Sequence, residues 1–141
     1  MKIGLSAGCI LSACVIALSG NAPARAANLE GAWADNAEVC SKIFAKENNR
    51  ISFTRNSDLY GSGMIIEPNA LRGKTATCRI KTRKTDGPIV NLLTECSTDV
   101  AVSTVQFTFR IDAVDKLTRL YPGIPELTTT YVRCLSPMGT P

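Results

Sequence analysis

Apolar and polar residues alternate along most of the chain after residue 50. In a first short run, Ile51 and Phe53 share one face, as residues two apart do in a β-strand. Residues 102–111 form the clearest strand, with four large apolar side chains on one face and polar ones on the other: Val105, Phe107, Phe109 and Ile111 against Thr104, Gln106, Thr108 and Arg110. Further short runs lie at residues 64–67, 70–73, 117–120 and 127–134, separated by turn residues. This spacing predicts a mostly β fold, an antiparallel meander that forms a small barrel or a strongly curled sheet.

One stretch before these strands has a helical period instead. Its apolar residues are spaced for one helix face: Ala37, Val39, Cys40, Ile43 and Phe44. Asp35 and Glu38 stand where a reciprocal N-terminal cap needs them. The pattern predicts one N-terminal α-helix over residues 36–46, and we expect it to plug an end of the barrel or to cover an open face.

The segment between Cys78 and Cys96 reads as a hairpin turned at Asp86-Gly87-Pro88. If the turn is centred on Gly87, the numbers of two opposite residues add to 174, so Cys78 faces Cys96. This register predicts a Cys78–Cys96 disulfide. Four cysteines allow three pairings, and the one that contains this bridge leaves Cys40 with Cys134.

The same register divides the hairpin into two faces. Ile80 and Thr82 face inward, whereas Arg79, Lys81 and Arg83 face outward, and only Arg79 has an acidic residue, Glu95, across the ladder. The densest positive charge of the chain lies here and just before it: Arg72, Lys74, Lys81, Arg83 and Lys84. One interpretation is a site for an acidic protein face, a glycan acid or a lipid head group. The other is a solvated face whose charges discourage pairing between sheet edges.

The start of the chain predicts export. A run of apolar or small residues from Ile3 to Leu18 ends before Ala24-Arg25-Ala26, a cleavage motif for signal peptidase. We expect residues 1–26 to be a signal peptide cut after Ala26, a single domain over residues 27–134, and a flexible tail over 135–141. Residues 11–14 also resemble a lipobox, which would make the protein a lipoprotein attached at Cys14. Without that attachment, it would be periplasmic or secreted, with no transmembrane segment in the mature chain.

Composition excludes several kinds of chemistry. The chain has no histidine, so Ser-His-Asp and Cys-His catalytic sites are excluded. Signal cleavage removes Lys2 and Arg25, which leaves 14 basic against 12 acidic residues, and a charge of +2 is too small to predict nucleic-acid binding. Paired cysteines bind no zinc, and no phosphate- or dinucleotide-binding motif occurs, so we expect no metal and no cofactor. Tyr60 and Tyr121 lie in predicted loops, where they either contact a partner or cap the barrel.

Gly31-Ala32-Trp33 resembles the G-x-W motif that opens lipocalin-type barrels and the small periplasmic metalloprotease inhibitors of bacteria. The resemblance implies an eight-stranded barrel and, for the inhibitors, N-terminal residues that block a protease. Those inhibitors have one disulfide, whereas this chain keeps four cysteines after cleavage. The chain as a whole also resembles small exported proteins of Gram-negative bacteria whose mechanism is not characterised.

Together these features favour an exported, non-catalytic binding or inhibitory module that recognises a protein or an anionic component of the cell envelope. One alternative is a structural or stress-related envelope protein without a specific ligand. The other is a hydrolase that uses two carboxylates.

Overall fold

A computed structural model describes residues 28–134. The predicted signal peptide with Cys14 and the predicted tail lie outside the described residues. The described chain contains ten strands and one short helix, in the following order. They are β1 (Gly31–Ala34), α1 (Cys40–Ile43), β2 (Phe44–Glu47), β3 (Arg50–Phe53), β4 (Gly63–Ile66), β5 (Ala70–Arg72), β6 (Thr77–Asp86), β7 (Ile89–Ser97), β8 (Val102–Ala113), β9 (Lys116–Leu120) and β10 (Thr128–Arg133). Single 3-10 turns lie at Ala37–Val39 and Ser57–Leu59.

Eight strands close into an antiparallel barrel in the order β1-β10-β9-β8-β7-β6-β5-β4. From β4 to β10 every strand pairs with the next one along the chain, which confirms the predicted meander. β1 closes the barrel, because it pairs with β10 on one side and with β4 on the other.

Large side chains fill the interior, as in other barrels of eight strands. The buried set includes Trp33, Met64, Leu71, Val90, Leu92, Phe107, Phe109, Leu117 and Tyr131. Trp33 is 1% exposed and Phe109 is fully buried. Val105 and Ile111 pack against the same cluster, so the predicted inner face of β8 is confirmed.

The helix is shorter than residues 36–46, the predicted range. It ends at Ile43, and Phe44–Glu47 forms β2, which pairs with β3 through a two-residue turn. Both turn residues, Asn48 and Asn49, have positive φ (49° and 63°), as such tight hairpin turns require. The cap is also different from the prediction, since Asn36 rather than Asp35 accepts the hydrogen bond from the backbone N–H of Glu38.

We call α1, β2 and β3 the flap. Its apolar side covers the outside of the barrel wall, where Ala32, Ala34 and Ile65 form a second buried cluster with Ile43 and Phe44. The predicted helix was expected either to plug one end of the barrel or to cover an open face, and in the structure the helix covers a face.

Both predicted disulfides are present. Cys78–Cys96 joins β6 to β7 across the ladder, and Cys40–Cys134 attaches the flap to the residue after β10. Disulfides form and persist in oxidising compartments, so the pair indicates an exported environment.

The predicted hairpin register holds only for the part next to the disulfide. It is correct up to Ile80, which lies opposite Thr94. A β-bulge at Lys81 then shifts the pairing by one residue, and Arg83 lies opposite Leu92. Arg83 is therefore in register with the inner face, not the predicted outer face.

The shift changes two further positions. Thr82, predicted to face inward, lies opposite the outward Leu93, and Lys84 lies opposite Asn91. The outer face of the hairpin beyond the bulge thus presents Thr82 and Lys84.

The two ends of the barrel differ in their connections. At one end, which we call the loop end, lie the connecting segments 73–76, 98–101 and 121–127, together with both ends of segment 35–62, whose flap runs along the outer wall towards the opposite end. The opposite end holds the turns at 67–69, 87–88 and 114–115, together with Asn28 and Cys134, the first and last described residues.

Candidate functional site

Two of the five predicted basic site residues hold the fold together. Arg72 donates from Nη2 to Glu67 Oε1 (2.8 Å) and to the carbonyl of Ile51 in the flap (2.9 Å). Lys74 donates from Nζ to the carbonyls of Thr54 (2.6 Å) and Arg55 (2.8 Å). Arg72 therefore attaches the flap to the barrel, and Lys74 attaches the residues that follow the flap.

The other three basic residues do not share one face. Lys81 Nζ lies 3.8 Å from Glu95 Oε2, so the prediction that Lys81 has no acidic partner is wrong. Arg83 has moved to the register of Leu92 through the bulge. Of the three, only Lys84 lines a shallow groove of about 490 Å³ on the outer face, whose floor includes Leu93, 43% exposed. That these residues bind a partner stays a prediction.

A cation that the sequence reading did not single out, Arg119, lies on the inner face of the barrel. In the ladder it stands opposite Phe109, which is fully buried, and opposite Thr129. Leu117, two residues earlier on the same face, is also fully buried. The sequence could have indicated this position, because Leu117 and Arg119 are two residues apart in a strand and therefore share the inward side.

Two aromatic rings contact the guanidinium of this arginine. The Arg119 guanidinium carbon is 4.5 Å from the ring centroid of Phe107 and 4.6 Å from that of Tyr121. The Tyr121 hydroxyl is 3.1 Å from Thr129 Oγ1, which fixes the position of its ring. Arg119, Tyr121 and Thr129 are each half-buried. We use the name Arg119 cluster for five residues: Arg119, Phe107, Tyr121, Thr129 and Tyr131.

Tyr131 completes the cluster from β10. Its side chain is 7% exposed, and burial raises the pKa of its hydroxyl. The neighbouring Tyr121 adds to the rise, whereas contacts with Arg119 and Ser62 act against it. Tyr131 is therefore a neutral hydroxyl group beside the guanidinium at ordinary pH.

Exposed apolar side chains gather at the same end of the barrel as this cluster. Eight large hydrophobic residues of the described chain are exposed. Six of them lie in or next to the connections of the loop end, and we call them the apolar rim: Leu59, Tyr60, Val100, Val102, Ile124 and Leu127. Only Leu93, on the outer face, and Val114, at the opposite end, lie elsewhere. All six are thus assigned to one end of the barrel by their place in the chain.

The two predicted loop tyrosines belong to this end. Tyr60 is 46% exposed, and Lys42 Nζ lies 5.3 Å from its ring centroid. Tyr121 begins the 121–127 connection and forms one wall of the Arg119 cluster.

Hydrogen bonds from Thr118 and Arg110 lower the pKa of the Asp112 carboxyl. A general acid needs the opposite, a raised pKa. Glu67 forms an ion pair with Arg72. Within residues 28–134 no group of three or more potential ligands is arranged for a metal ion. No helix in this range is long and apolar enough to cross a membrane.

No protein-family model matches the chain, and no curated protein or solved structure is detectably similar to it. The membership that Gly31-Ala32-Trp33 suggests stays a prediction. The closed eight-stranded barrel is observed in this chain itself and does not depend on that resemblance.

Proposed function

We propose that this chain is an exported, non-catalytic binding module of the cell envelope, and that the loop end is its contact surface. The observation that carries the proposal is the apolar rim, because six of the eight exposed large hydrophobic residues of the described chain lie at one end. Burial of aliphatic and tyrosine side chains by a partner would release water from this surface, at roughly 25 cal/mol per Å² of apolar area.

Two independent features support export to the periplasm or beyond. Residues 1–26 have the charged start, the apolar run and the cleavage motif of a signal peptide. The two disulfides need an oxidising compartment. Periplasmic placement would bring the rim into contact with envelope proteins and amphipathic envelope components.

The side-chain inventory supports binding over catalysis. The sequence has no histidine, Glu67 and Glu95 form ion pairs, and hydrogen bonds lower the pKa of Asp112. A carboxyl with a lowered pKa is a poor proton donor near neutral pH.

Affinity capture from native envelope extract tests the contact surface. The double variant Ile124→Asp, Leu127→Asp places two charges in the rim, and Val114→Asp places one at the opposite end as a matched control. We expect wild type and the control to retain the same partner and the rim variant to lose it. Equal capture by all three proteins would rule out the loop end as the contact surface.

A second candidate surface is the outer groove beside Lys84. An exposed Leu93 surrounded by a lysine and the amides of Asn91 and Gln106 has the apolar centre and polar border of a small protein interface. Charge reversal by Lys81→Glu and Lys84→Glu should abolish a salt-sensitive interaction, whereas Lys46→Glu on the flap should not. If the reversal leaves capture unchanged, this groove is a solvated face.

A further inference from the structure

Arg119 carries a positive charge that the described protein does not neutralise. The three ion pairs between residues 28 and 134 involve Arg72, Lys81 and Arg110. A charged group removed from water is normally paired, because desolvation of an unpaired charge is unfavourable. Arg119 is half-buried on the inner face, next to the fully buried Leu117 and Phe109.

The two aromatic contacts hold the guanidinium in place. Phe107 and Tyr121 lie 4.5 and 4.6 Å from its carbon, within the range of cation–π attraction. A cation–π contact uses the charge of the group and does not consume its five N–H donors, which can still bind oxygen atoms.

Three hydroxyl groups belong to the same cluster. Tyr121 and Thr129 lie 3.1 Å apart through their oxygens, and Tyr131 contacts Arg119 from the adjacent strand. A planar fork of N–H donors with nearby hydroxyls matches the oxygens of a carboxylate or a phosphate, which arginine binds through paired hydrogen bonds.

We propose that the Arg119 cluster is an anion-recognition site for a small amphiphile, in which a carboxylate or phosphate group binds Arg119 and an apolar body contacts the rim. The site lies on the loop-end side of the core, because Leu117, the next inward residue of β9 towards the opposite end, is fully buried, whereas Phe107 and Tyr121 lie on the loop-end side of Arg119. The inference rests on the proposed function for the rim contact alone. It adds the charged group of the ligand and the residue that recognises it.

The position of the rim agrees with such a ligand. Ile124 and Leu127 belong to the connection that begins at Tyr121, and they are 55% and 46% exposed. An amphiphile whose head reaches Arg119 would therefore meet apolar side chains of the same loop with its body.

Isothermal titration calorimetry with defined probes tests the proposal on the complete mature protein. The probes are dodecanoate and dodecyl phosphate as two sources of the anionic head, dodecanol as the neutral analogue and acetate as the head alone, all below their micelle-forming concentrations. We expect at least one of the two anionic amphiphiles to bind about 10-fold to 100-fold more tightly than dodecanol, since a hydrogen bond to a charged group contributes that factor. The tighter of the two identifies the head group. Acetate should bind more weakly than any of the dodecyl compounds, because it has no apolar body.

Variants separate the head from the body of the ligand. Arg119→Gln should weaken the anionic amphiphile about 10-fold or more and leave dodecanol unchanged, whereas Arg79→Gln on the outer face should change neither. Tyr121→Phe keeps the ring over Arg119 and removes only a hydroxyl. It provides a folded variant, with an expected loss of a few-fold, should Arg119→Gln fail to fold.

Each failure has its own signature. Equal binding of dodecanoate, dodecyl phosphate and dodecanol, or unchanged anion binding by Arg119→Gln and Tyr121→Phe, would overturn the anion site while leaving the rim proposal intact. Unchanged binding by Ile124→Asp, Leu127→Asp would overturn the rim as the contact for the apolar body and leave the role of Arg119 intact. Binding only to phosphatidylglycerol vesicles, with none of the monomeric probes bound, would also overturn the site and indicate a membrane surface as the partner.

Discussion

The guanidinium of Arg133 lies over the indole ring of Trp33, 4.2 Å from its centroid, and the two residues are paired in the ladder between β10 and β1. Arg133 also donates to the carbonyls of Asn28 and Glu30, and through Nε to Val114 (3.0 Å). The Trp33 Nε1–H donates to Leu29 (2.8 Å). One arginine therefore connects the first described residues, the β8–β9 turn and the core at the opposite end of the barrel.

We expect Arg133→Ala to lower the free energy of unfolding by about 2–4 kcal/mol, because it removes several hydrogen bonds to carbonyls and one cation–π contact together. Urea titration monitored by Trp33, the only tryptophan, measures the change. Arg133→Lys keeps the charge without the planar fork and should show a smaller loss. Arg79→Ala on the exposed outer face should stay within about 0.5 kcal/mol of wild type, and an equal loss in both alanine variants would contradict the role given to Arg133.

The two disulfides should differ in their contribution to stability. Cys40–Cys134 closes a separation of 94 residues and Cys78–Cys96 one of 18. In the chain-entropy account the longer loop contributes about 4.5 kcal/mol and the shorter about 3 kcal/mol. Paired Cys→Ala substitutions, compared by urea unfolding, should therefore destabilise more for Cys40–Cys134. The reverse order would show that native packing around Cys78 and Cys96, and not loop closure, dominates.

Arg72 and Lys74 should control local opening of the flap. Arg72→Leu removes the donor to the Ile51 carbonyl, and Lys74→Met removes the donors to the Thr54 and Arg55 carbonyls. We expect amide exchange in β2 and β3 to become about 5-fold to 10-fold faster, equivalent to about one hydrogen bond, with little change in the barrel strands. Hydrogen-exchange NMR measures both regions in one experiment. Lys46→Met, an exposed change on the flap itself, should leave the rates unaltered, and the same acceleration there would contradict the tether.

Asp112 should make stability depend on acid pH. Its carboxylate accepts hydrogen bonds from Thr118 (2.5 Å) and Arg110 (2.7 Å), which lower its pKa below the ordinary 3.8. A lowered folded pKa means that the stabilisation is fully present above the unfolded value and is lost as pH falls through the folded value. Asp112→Asn should therefore lose about 1 kcal/mol near pH 7, and progressively less as pH falls below the unfolded value.

Urea unfolding of Asp112→Asn and of wild type across this pH range checks the effect. Asp99→Asn in the exposed β7–β8 turn serves as the matched control and should follow wild type throughout. A gap between Asp112→Asn and wild type that does not close in acid would exclude the charged form of Asp112 as its cause.

Local patterns were sufficient for the faces of β8 and for the disulfides. Alternation predicts the inner face of β8 because successive side chains of a strand point to opposite sides, one towards the core and one towards water. Phe107 and Phe109 are buried as expected. The register centred on Gly87 pairs Cys78 with Cys96 correctly, although the turn itself pairs Asp86 with Ile89 and the bulge at Lys81 restores the predicted register next to the cysteines. The second bridge follows by exclusion.

Features that depend on distant contacts were not predictable in this way. The bulge at Lys81 has no residue signature, and a one-residue slip is enough to exchange the faces of Thr82 and Arg83. Phe44 fits a helix and a strand equally well by period, and pairing with Phe53, with ring centroids 5.2 Å apart, favours the strand. The Arg119 cluster assembles from β8, β9 and β10, so its members are adjacent only after the barrel closes.

The chain enters and leaves the barrel at the same end, since Asn28 and Cys134 both lie opposite the apolar rim and Arg133 links Asn28 to β10. Under the proposed function, a group attached through Asn28 or Cys134 would lie at the end of the barrel away from the proposed contact surface. The domain would then face in a fixed direction, with its attachment at one end and the proposed surface at the other.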